Sequence, residues 1–233
     1  MNNMLLFCFP YAGGSESIYY PWRKHLLPGI ELLPIPYAGR GTRFRDTCYK
    51  NMDDALCDLF EYVKKYISGT KYSFFGHSMG GLIAYELCRK LEGEGVHPPK
   101  HVFVSGVRAP NRIRSHHLHQ LPEEEFKKKL DELNGTPKEV LHNRQLMEIF
   151  LPILRSDFRL IEEYAFMPDN ARLNANITAL YGKGDDIVYE DMIHWKDFTK
   201  EQFGLQGYPG GHFFINDNDF DILHLINETL AEH

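Results

Sequence analysis

The sequence predicts an α/β fold with a mostly parallel central sheet, flanking helices and one helical insertion. Short apolar runs alternate with longer stretches of helical periodicity, as in consecutive βαβ units. A G-x-S-x-G motif at residues 76–80 lies directly between one such run and a helix. A length of 233 residues allows one large domain or at most two small ones. The composition, 43% hydrophobic and 25% charged, is that of a globular protein.

The individual elements follow from the apolar patterns. Strands are predicted at residues 5–9, 31–35, 72–75, 102–105, 177–181 and 205–208, where apolar, β-branched or aromatic residues cluster. Helices are predicted at 52–67, 80–91 and 219–230, where apolar residues recur about every 3.6 positions. In the last of these helices the buried face is expected to consist of Phe220, Leu223, Ile226 and Leu230.

Residues 110–166 break this alternation, because the stretch contains only helical patterns. One helix is predicted to start at Pro122, before three glutamates that suit its first turn, and to end at Asn134-Gly135. A second is predicted at 144–164, with a kink at Pro152. We interpret residues 110–166 as a lid on a single domain spanning 1–233, rather than as an ordinary helical layer, since such insertions carry specificity.

The motif Gly76-His77-Ser78-Met79-Gly80 has the setting of a nucleophile elbow. Such a turn needs glycine on either side of the serine, where neighbouring backbone crowds it. It raises the hydroxyl above the sheet at the start of the next helix, where free N–H groups favour negative charge. Ser78 is therefore the predicted nucleophile. His77, its neighbour, is expected to point away and to pack beneath the turn.

A serine hydroxyl is a weak nucleophile until a base takes its proton. Of the twelve histidines, His212 is the predicted base, because it follows two glycines late in the chain and the expected order is Ser, acid, His. The acid should follow the strand at 177–181, where Asp185 and Asp186 stand. The sequence pattern alone does not decide which of these two aspartates is the catalytic acid.

An oxyanion formed by attack of Ser78 needs two hydrogen-bond donors. The backbone N–H of Met79, the residue after the nucleophile, is expected to supply one. The second should come from the glycine-rich loop at residues 9–14, which directly follows the first predicted strand.

Other features argue against other classes of protein. The net charge of −6 argues against a nucleic-acid-binding protein. No apolar run approaches the roughly 18 residues of a membrane helix, and the run at residues 4–9 is too short for a signal peptide. The four cysteines form no C-x-x-C pair, so we expect free thiols, no metal site and a cytoplasmic location. His116, His117 and His119 are interpreted as a solvated loop, and His224 as structural.

Several motifs together resemble the type II thioesterases that accompany nonribosomal peptide and polyketide synthases. They are Phe9-Pro10-Tyr11-Ala12-Gly13-Gly14-Ser15, Gly76-His77-Ser78-Met79-Gly80-Gly81, Gly182-Lys183-Gly184-Asp185-Asp186 and Gly211-His212-Phe213-Phe214. The loop from Pro36 to Arg45 is similar to the family's Pro-Gly-Arg-Gly-x-Arg segment, from which Tyr37-Ala38 departs. The resemblance covers nearly the whole chain.

The resemblance implies an α/β-hydrolase core with a mobile lid, and a monomer without a cofactor of its own. The activity it implies is hydrolysis of acyl or aminoacyl thioesters from the 4′-phosphopantetheine arm of peptidyl or acyl carrier domains, in an editing role. The family's G-x-x-D-P segment assigns the acid to Asp185, and its oxyanion alanine corresponds to Ala12 beside Met79. The alternatives are a general carboxylesterase or lipase, an acyltransferase, or a non-catalytic protein that docks on a synthase.

Two basic clusters are candidates for contact with a carrier or with the pantetheine phosphate, because guanidinium groups suit phosphate. They are Arg40, Arg43 and Arg45, and Arg108, Arg112 and Arg114. We expect both clusters to be solvated loops, with carrier docking as the alternative.

Overall fold

A parallel sheet forms the centre of the protein. The computed structural model describes residues 4–113, 117–133, 135, 138–141, 143–169 and 171–231. Within these ranges the sheet has six strands in the order β2-β1-β3-β4-β5-β6. Their bounds are β1 Met4–Phe9, β2 Ile30–Pro34, β3 Lys71–His77, β4 His101–Ser105, β5 Asn176–Gly182 and β6 Phe203–Tyr208. All five pairings are parallel, which confirms the predicted fold class.

The strands are apolar along their length because helices cover both faces of the sheet. Every residue of β1 and β4 is buried, whereas the edge strands β2 and β6 are partly exposed. Alternate residues of β1 face opposite sides, so Phe7 packs in one core cluster and Leu6 in the other. The register pairs Phe9 with Gly76, which brings the ends of β1 and β3 to the same level.

Helices flank the sheet on both sides. They are α1 Met52–Lys64, α2 Met79–Gly93, α3 Glu123–Leu133, α4 Lys138–Leu141, α5 Arg144–Glu162, α6 Tyr189–Met192 and α7 Asp219–Ala231. The buried residues of α1 and α2 pack on one face, while α7 and the 3₁₀ segment Glu16–Lys24 pack on the other. The six strands and the flanking helices thus form the layered α/β architecture predicted from the alternation.

The buried face of α7 differs from the prediction at two residues. Ile222, Leu223, Ile226 and Leu230 are buried, whereas Phe220 is 68% exposed. Each residue turns the helix by about 100°, which puts Phe220 about a quarter-turn away from the centre of that face. His224 is exposed on α7, where its Nε2 lies 3.4 Å from Oε1 of Glu228, one turn farther along the helix. Its structural role stays a prediction.

The segment at 110–166 is helical, as predicted, and it has a small core of its own. Residues of α3, α4 and α5 form that cluster, namely Phe126, Leu130, Leu141, Met147 and Leu154. The helix α5 continues through Pro152, and a kink there stays a prediction. Farther along α5, Ser156 donates a hydrogen bond to the carbonyl oxygen of Tyr49 (2.7 Å), which ties this helix to the rest of the domain.

The prediction of a solvated histidine loop was wrong for His119, which is buried against Glu162 of α5. Its Nδ1 lies 2.6 Å from Glu162 Oε2. The same carboxylate accepts the backbone N–H groups of Leu118 (2.7 Å) and His119 (3.0 Å). His117 is exposed, and His116 lies outside the described residues. One buried carboxylate from α5 therefore organises the loop that precedes α3.

Glu162→Ala is expected to lower the free energy of unfolding by about 2–4 kcal/mol, because it leaves buried N–H donors without an acceptor. Urea denaturation measures this change. Glu163→Ala is the matched control, since the neighbouring carboxylate is half-exposed and lies 3.2 Å from the other ring nitrogen of His119 (Oε1 to Nε2). Loss of such an exposed contact should cost less than about 1 kcal/mol. Equal effects of the two substitutions would contradict the role of Glu162.

Candidate active site

Ser78 occupies a strained turn between β3 and α2. Its φ is +54° and its ψ is −123°, a conformation that costs a non-glycine residue about 1–3 kcal/mol. The turn is tight on both sides of the serine. A Cβ at Gly76 would overlap the Gly80 carbonyl oxygen, and a Cβ at Gly80 would overlap that of Phe9. The glycines of the motif are therefore required by contact with neighbouring backbone, as the nucleophile-elbow interpretation expects.

Ser78, His212 and Asp185 form a continuous hydrogen-bonded chain. The Ser78 hydroxyl lies 3.1 Å from His212 Nε2, and His212 Nδ1 lies 2.8 Å from Asp185 Oδ2. An Nδ1 that faces a carboxylate carries the ring proton, which leaves the Nε2 lone pair for the serine hydroxyl. The three residues are brought together from the ends of β3, β5 and β6.

Backbone contacts between the turns after β5 and β6 set the position of this chain. The N–H of Gly184 donates to the carbonyl oxygen of Gly210 (2.8 Å). Gly210 has a φ of +105°, which favours glycine in the turn that leads to His212. The sequence left Asp185 and Asp186 as alternatives for the acid. In the structure Asp185 faces His212, while the Asp186 side chain is exposed.

His77 packs beneath the turn, as predicted. It is fully buried, its Nδ1 lies 2.9 Å from Ser105 Oγ, and its ring centroid lies 5.1 Å from that of His212. Burial, with a smaller contribution from His212, holds the pKa of His77 well below its usual value. His77 is thus a neutral ring that supports His212 from below.

The glycine-rich loop after β1 lies directly against the elbow. Its residues Tyr11, Ala12, Gly13 and Gly14 form a turn, which we call the oxyanion turn, closed by a hydrogen bond from Gly14 N–H to the Tyr11 carbonyl (2.9 Å). Gly13 has a φ of +78°. Ala12 lines a cavity beside Ser78, and Met79, the first residue of α2, lines a second. Both residues predicted to donate to an oxyanion therefore adjoin the serine.

Two cavities of about 150 Å³ each meet at Ser78, and their walls are mostly apolar. Leu154, Phe158 and Phe213 line the first, while Leu82, Val107 and Ile187 line the second. Ile161 of α5 contributes to both. A larger groove of about 690 Å³ runs past Asp185 and His212. The site thus offers apolar space next to the serine and an open approach to the histidine.

The arginine clusters differ from the expectation of solvated loops. Arg40 is buried and paired with Asp157 of α5. Nη1 of Arg43 lies 2.5 Å from Oδ2 of Asp58. Nε of Arg108 lies 3.1 Å from Oδ2 of Asp191. Two of the other arginines, Arg45 and Arg112, are exposed, and Arg114 lies outside the described residues. Sequence reasoning missed Asp157 because it lies 117 positions from Arg40 and no local motif marks it.

Neither a metal-binding cluster nor a membrane-spanning helix occurs among the described residues. No group of three or more His, Cys, Asp or Glu side chains in the described ranges is arranged to hold a metal ion. Among the helices described, none is long and apolar enough to cross a membrane.

Gly80→Ala is expected to lower the free energy of unfolding by about 2 kcal/mol or more, because its Cβ would overlap the carbonyl group of Phe9 at the end of β1. Gly93→Ala, at the other end of α2, is the control. Nothing lies within 4 Å of the added Cβ there, so this change should be neutral or stabilise by up to about 1 kcal/mol. Thermal and urea unfolding compare the two variants, and similar stabilities would contradict the close approach.

Comparison with known proteins identifies the family. The family model described as "Thioesterase domain" matches residues 5–230. Linear gramicidin dehydrogenase LgrE from Brevibacillus parabrevis is 35% identical over 99% of this chain and 89% of its own length. Gramicidin S biosynthesis protein GrsT from Aneurinibacillus migulanus is 35% identical over 97% of this chain and 88% of its own.

A solved structure agrees with these sequence matches. ClbQ from the colibactin NRPS/PKS pathway is 37% identical to this chain and superimposes with a TM-score of 0.93, covering 99% of this chain and 98% of its own. The match spans the sheet, the helical segment and the loops that carry Ser78, Asp185 and His212. This chain therefore belongs to the thioesterase domain family, within the α/β-hydrolase fold.

Proposed function

We propose that this thioesterase is an editing enzyme of a nonribosomal peptide or polyketide synthase, and that it removes acyl or aminoacyl groups from the 4′-phosphopantetheine arm of carrier domains. The similarity to ClbQ, which is described as part of an NRPS/PKS pathway, supports this role, and GrsT is described as a gramicidin S biosynthesis protein. We do not propose the dehydrogenase activity in the name of LgrE for this chain, because a Ser–His–Asp chain suits acyl transfer.

The observation that carries the proposal is the hydrogen-bonded chain from Ser78 through His212 to Asp185, beside the oxyanion turn. In the first step His212 takes the Ser78 proton as Oγ attacks the thioester carbonyl carbon. The N–H groups of Ala12 and Met79 stabilise the oxyanion. The C–S bond then breaks, and His212 returns its proton to the leaving pantetheine thiolate.

The second half of the reaction releases the acyl group. His212 takes a proton from water, whose oxygen attacks the acyl-serine carbonyl carbon. The bond to Ser78 Oγ breaks, the proton returns to the serine, and a free carboxylic acid leaves. Asp185 holds the imidazole in the required tautomer and stabilises its cationic form in both halves. These steps use side chains, backbone N–H groups and water, and the pantetheine belongs to the substrate.

We propose that residues 110–166 act as the lid of this site. Leu130 and Leu133 of α3 and Ile161 of α5 line the space beside Ser78, so this segment shapes the environment of the acyl group. Such an insertion selects substrates by the apolar surface that it presents to them.

We also propose a cytoplasmic location, where carrier domains meet the enzyme in solution. Cys8, Cys48, Cys57 and Cys88 are free thiols in the structure, which is usual in a reducing compartment. The four cysteines thus agree with the location expected from the sequence.

Ser78→Ala should reduce hydrolysis of acyl-loaded carrier protein by at least about 10³-fold, because no nucleophile remains to form the acyl-enzyme. Release of free acid from a panel of carriers loaded with different acyl groups measures this. Unchanged release by the variant would contradict the assignment of Ser78 and would favour a non-catalytic docking protein.

Two further arms of that assay test the substrate class. Esters of the same acyl groups should be hydrolysed more slowly than the loaded carriers, and a strong preference for free esters would identify a general carboxylesterase. With added alcohols or amines, the free acid should stay the main product. Transfer to those nucleophiles instead would identify an acyltransferase.

Asp185→Asn should lower kcat by about 10²–10⁴-fold, because an amide does not hold the catalytic tautomer of His212 or stabilise its cation. Asp186→Asn is the matched control, since the next side chain is exposed, and its kcat should stay within about threefold of wild type. The reverse order of effects would transfer the acid's role to Asp186.

A further inference from the structure

We propose that Asp157 of α5 is a positioning residue for catalysis, which holds the oxyanion turn in the orientation that Ser78 chemistry requires. This inference rests on the proposed function, because it assumes that the Ala12 N–H stabilises an oxyanion. It adds a side chain that is remote in sequence from every motif of the site. It also connects the helical segment at 110–166 to the chemistry, and not only to the shape of the substrate space.

The geometry of the turn leaves one of its peptide groups dependent on an external partner. The hydrogen bond from Gly14 N–H to the Tyr11 carbonyl closes the turn. The positive φ of Gly13, at the third position, is the pattern of a type II turn. The central peptide, between Ala12 and Gly13, points in opposite directions in type II and type I turns. A partner of the Gly13 N–H therefore decides between them.

Asp157 is that partner. The Gly13 N–H donates to Asp157 Oδ2 over 2.7 Å, across 144 positions of sequence. The Asp157 side chain is fully buried, so water does not compete for this hydrogen bond. A charged acceptor strengthens the bond further. The carboxylate thus fixes the plane of the peptide that directly follows Ala12.

Arg40 fixes the carboxylate in turn. Both terminal nitrogens of its guanidinium bind Asp157, with Nη2 lying 2.6 Å from Oδ1, and Nη1 also lies 3.4 Å from the carbonyl oxygen of Gly14. Burial opposes the positive charge of Arg40, but Asp157 more than compensates and raises the pKa of Arg40 above its usual value. The buried pair therefore holds the oxyanion turn at two points, the N–H of Gly13 and the carbonyl of Gly14.

A purely packing role would not require charge at this position. Leu154 and Leu160 of the same helix already supply apolar contacts, and a buried ion pair is often no more stabilising than apolar residues of similar size. What the carboxylate adds is an acceptor for Gly13. A displacement of about 1 Å at a catalytic group can cost 10²-fold in rate, so loss of this acceptor should appear in catalysis.

The test separates positioning from folding by changing both members of the ion pair. Asp157→Leu alone leaves Arg40 buried without a counter-ion, and this variant is expected to be unstable. The double variant Arg40→Met/Asp157→Leu removes both charges and should recover stability, yet it still lacks the acceptor for Gly13. Ser156→Ala is the matched control, because the adjacent side chain binds the Tyr49 carbonyl and does not contact the oxyanion turn.

Three readouts are measured on each folded variant. The first is kcat and KM for the butyryl thioester of N-acetylcysteamine. The second is the Kd of n-butylboronic acid, which adds to the Ser78 oxygen and places a boronate oxygen in the oxyanion site. The third is the Kd of S-butyl pantetheine, a thioether that has no carbonyl group and does not report on that site.

We expect the double variant to lose about 10- to 100-fold in kcat and a similar factor in boronate affinity. Its thioether Kd and its KM should stay within about twofold of wild type, and Ser156→Ala should match wild type throughout. Wild-type kcat in the double variant, or equal losses of boronate and thioether affinity, would overturn the inference. If the wild type neither hydrolyses the thioester nor binds the boronate more tightly than Ser78→Ala does, the proposed function itself fails.

Discussion

The close contact between the serine turn and the end of β1 is the constraint on which the site depends. Ser78 adopts its strained conformation because Gly76 and Gly80 allow backbone to approach where any side chain would overlap it. Gly80 packs against the carbonyl group of Phe9. Phe9 is the last residue of β1, the strand that pairs with β3. The same contact therefore strains the serine and brings the oxyanion turn beside it, as preorganised electrostatic stabilisation requires.

The remaining parts of the site are held by polar contacts between distant segments. The turns after β5 and β6 bind each other through Gly184 and Gly210, which brings His212 between Asp185 and Ser78. On the opposite side, α5 reaches the oxyanion turn through a buried carboxylate. The helical segment thus contributes apolar walls to the acyl space and a polar anchor to the reaction centre. A movement of α5 would change both at once.

The sequence predicted what is encoded locally and missed what depends on long-range pairing. The strands were predictable from short apolar runs. The elbow and His212 were predictable because each lies in a short motif whose glycines have a direct steric purpose. Asp157 and Glu162 were missed, since polar residues of an amphipathic helix are normally assigned to solvent, and their partners lie 117 and 43 positions away. Phe220 shows the opposite case, an apolar residue left exposed by its angular position on α7.

The most direct test of the account is covalent labelling of the nucleophile. The protein is treated with one equivalent of a fluorophosphonate, residual hydrolysis of an acyl-loaded carrier is followed, and the modified peptide is mapped by mass spectrometry. The account predicts one adduct, on Ser78, with thioester hydrolysis lost in proportion to its formation. Full hydrolysis by protein modified at Ser78, or inactivation with the adduct on another residue, would contradict it.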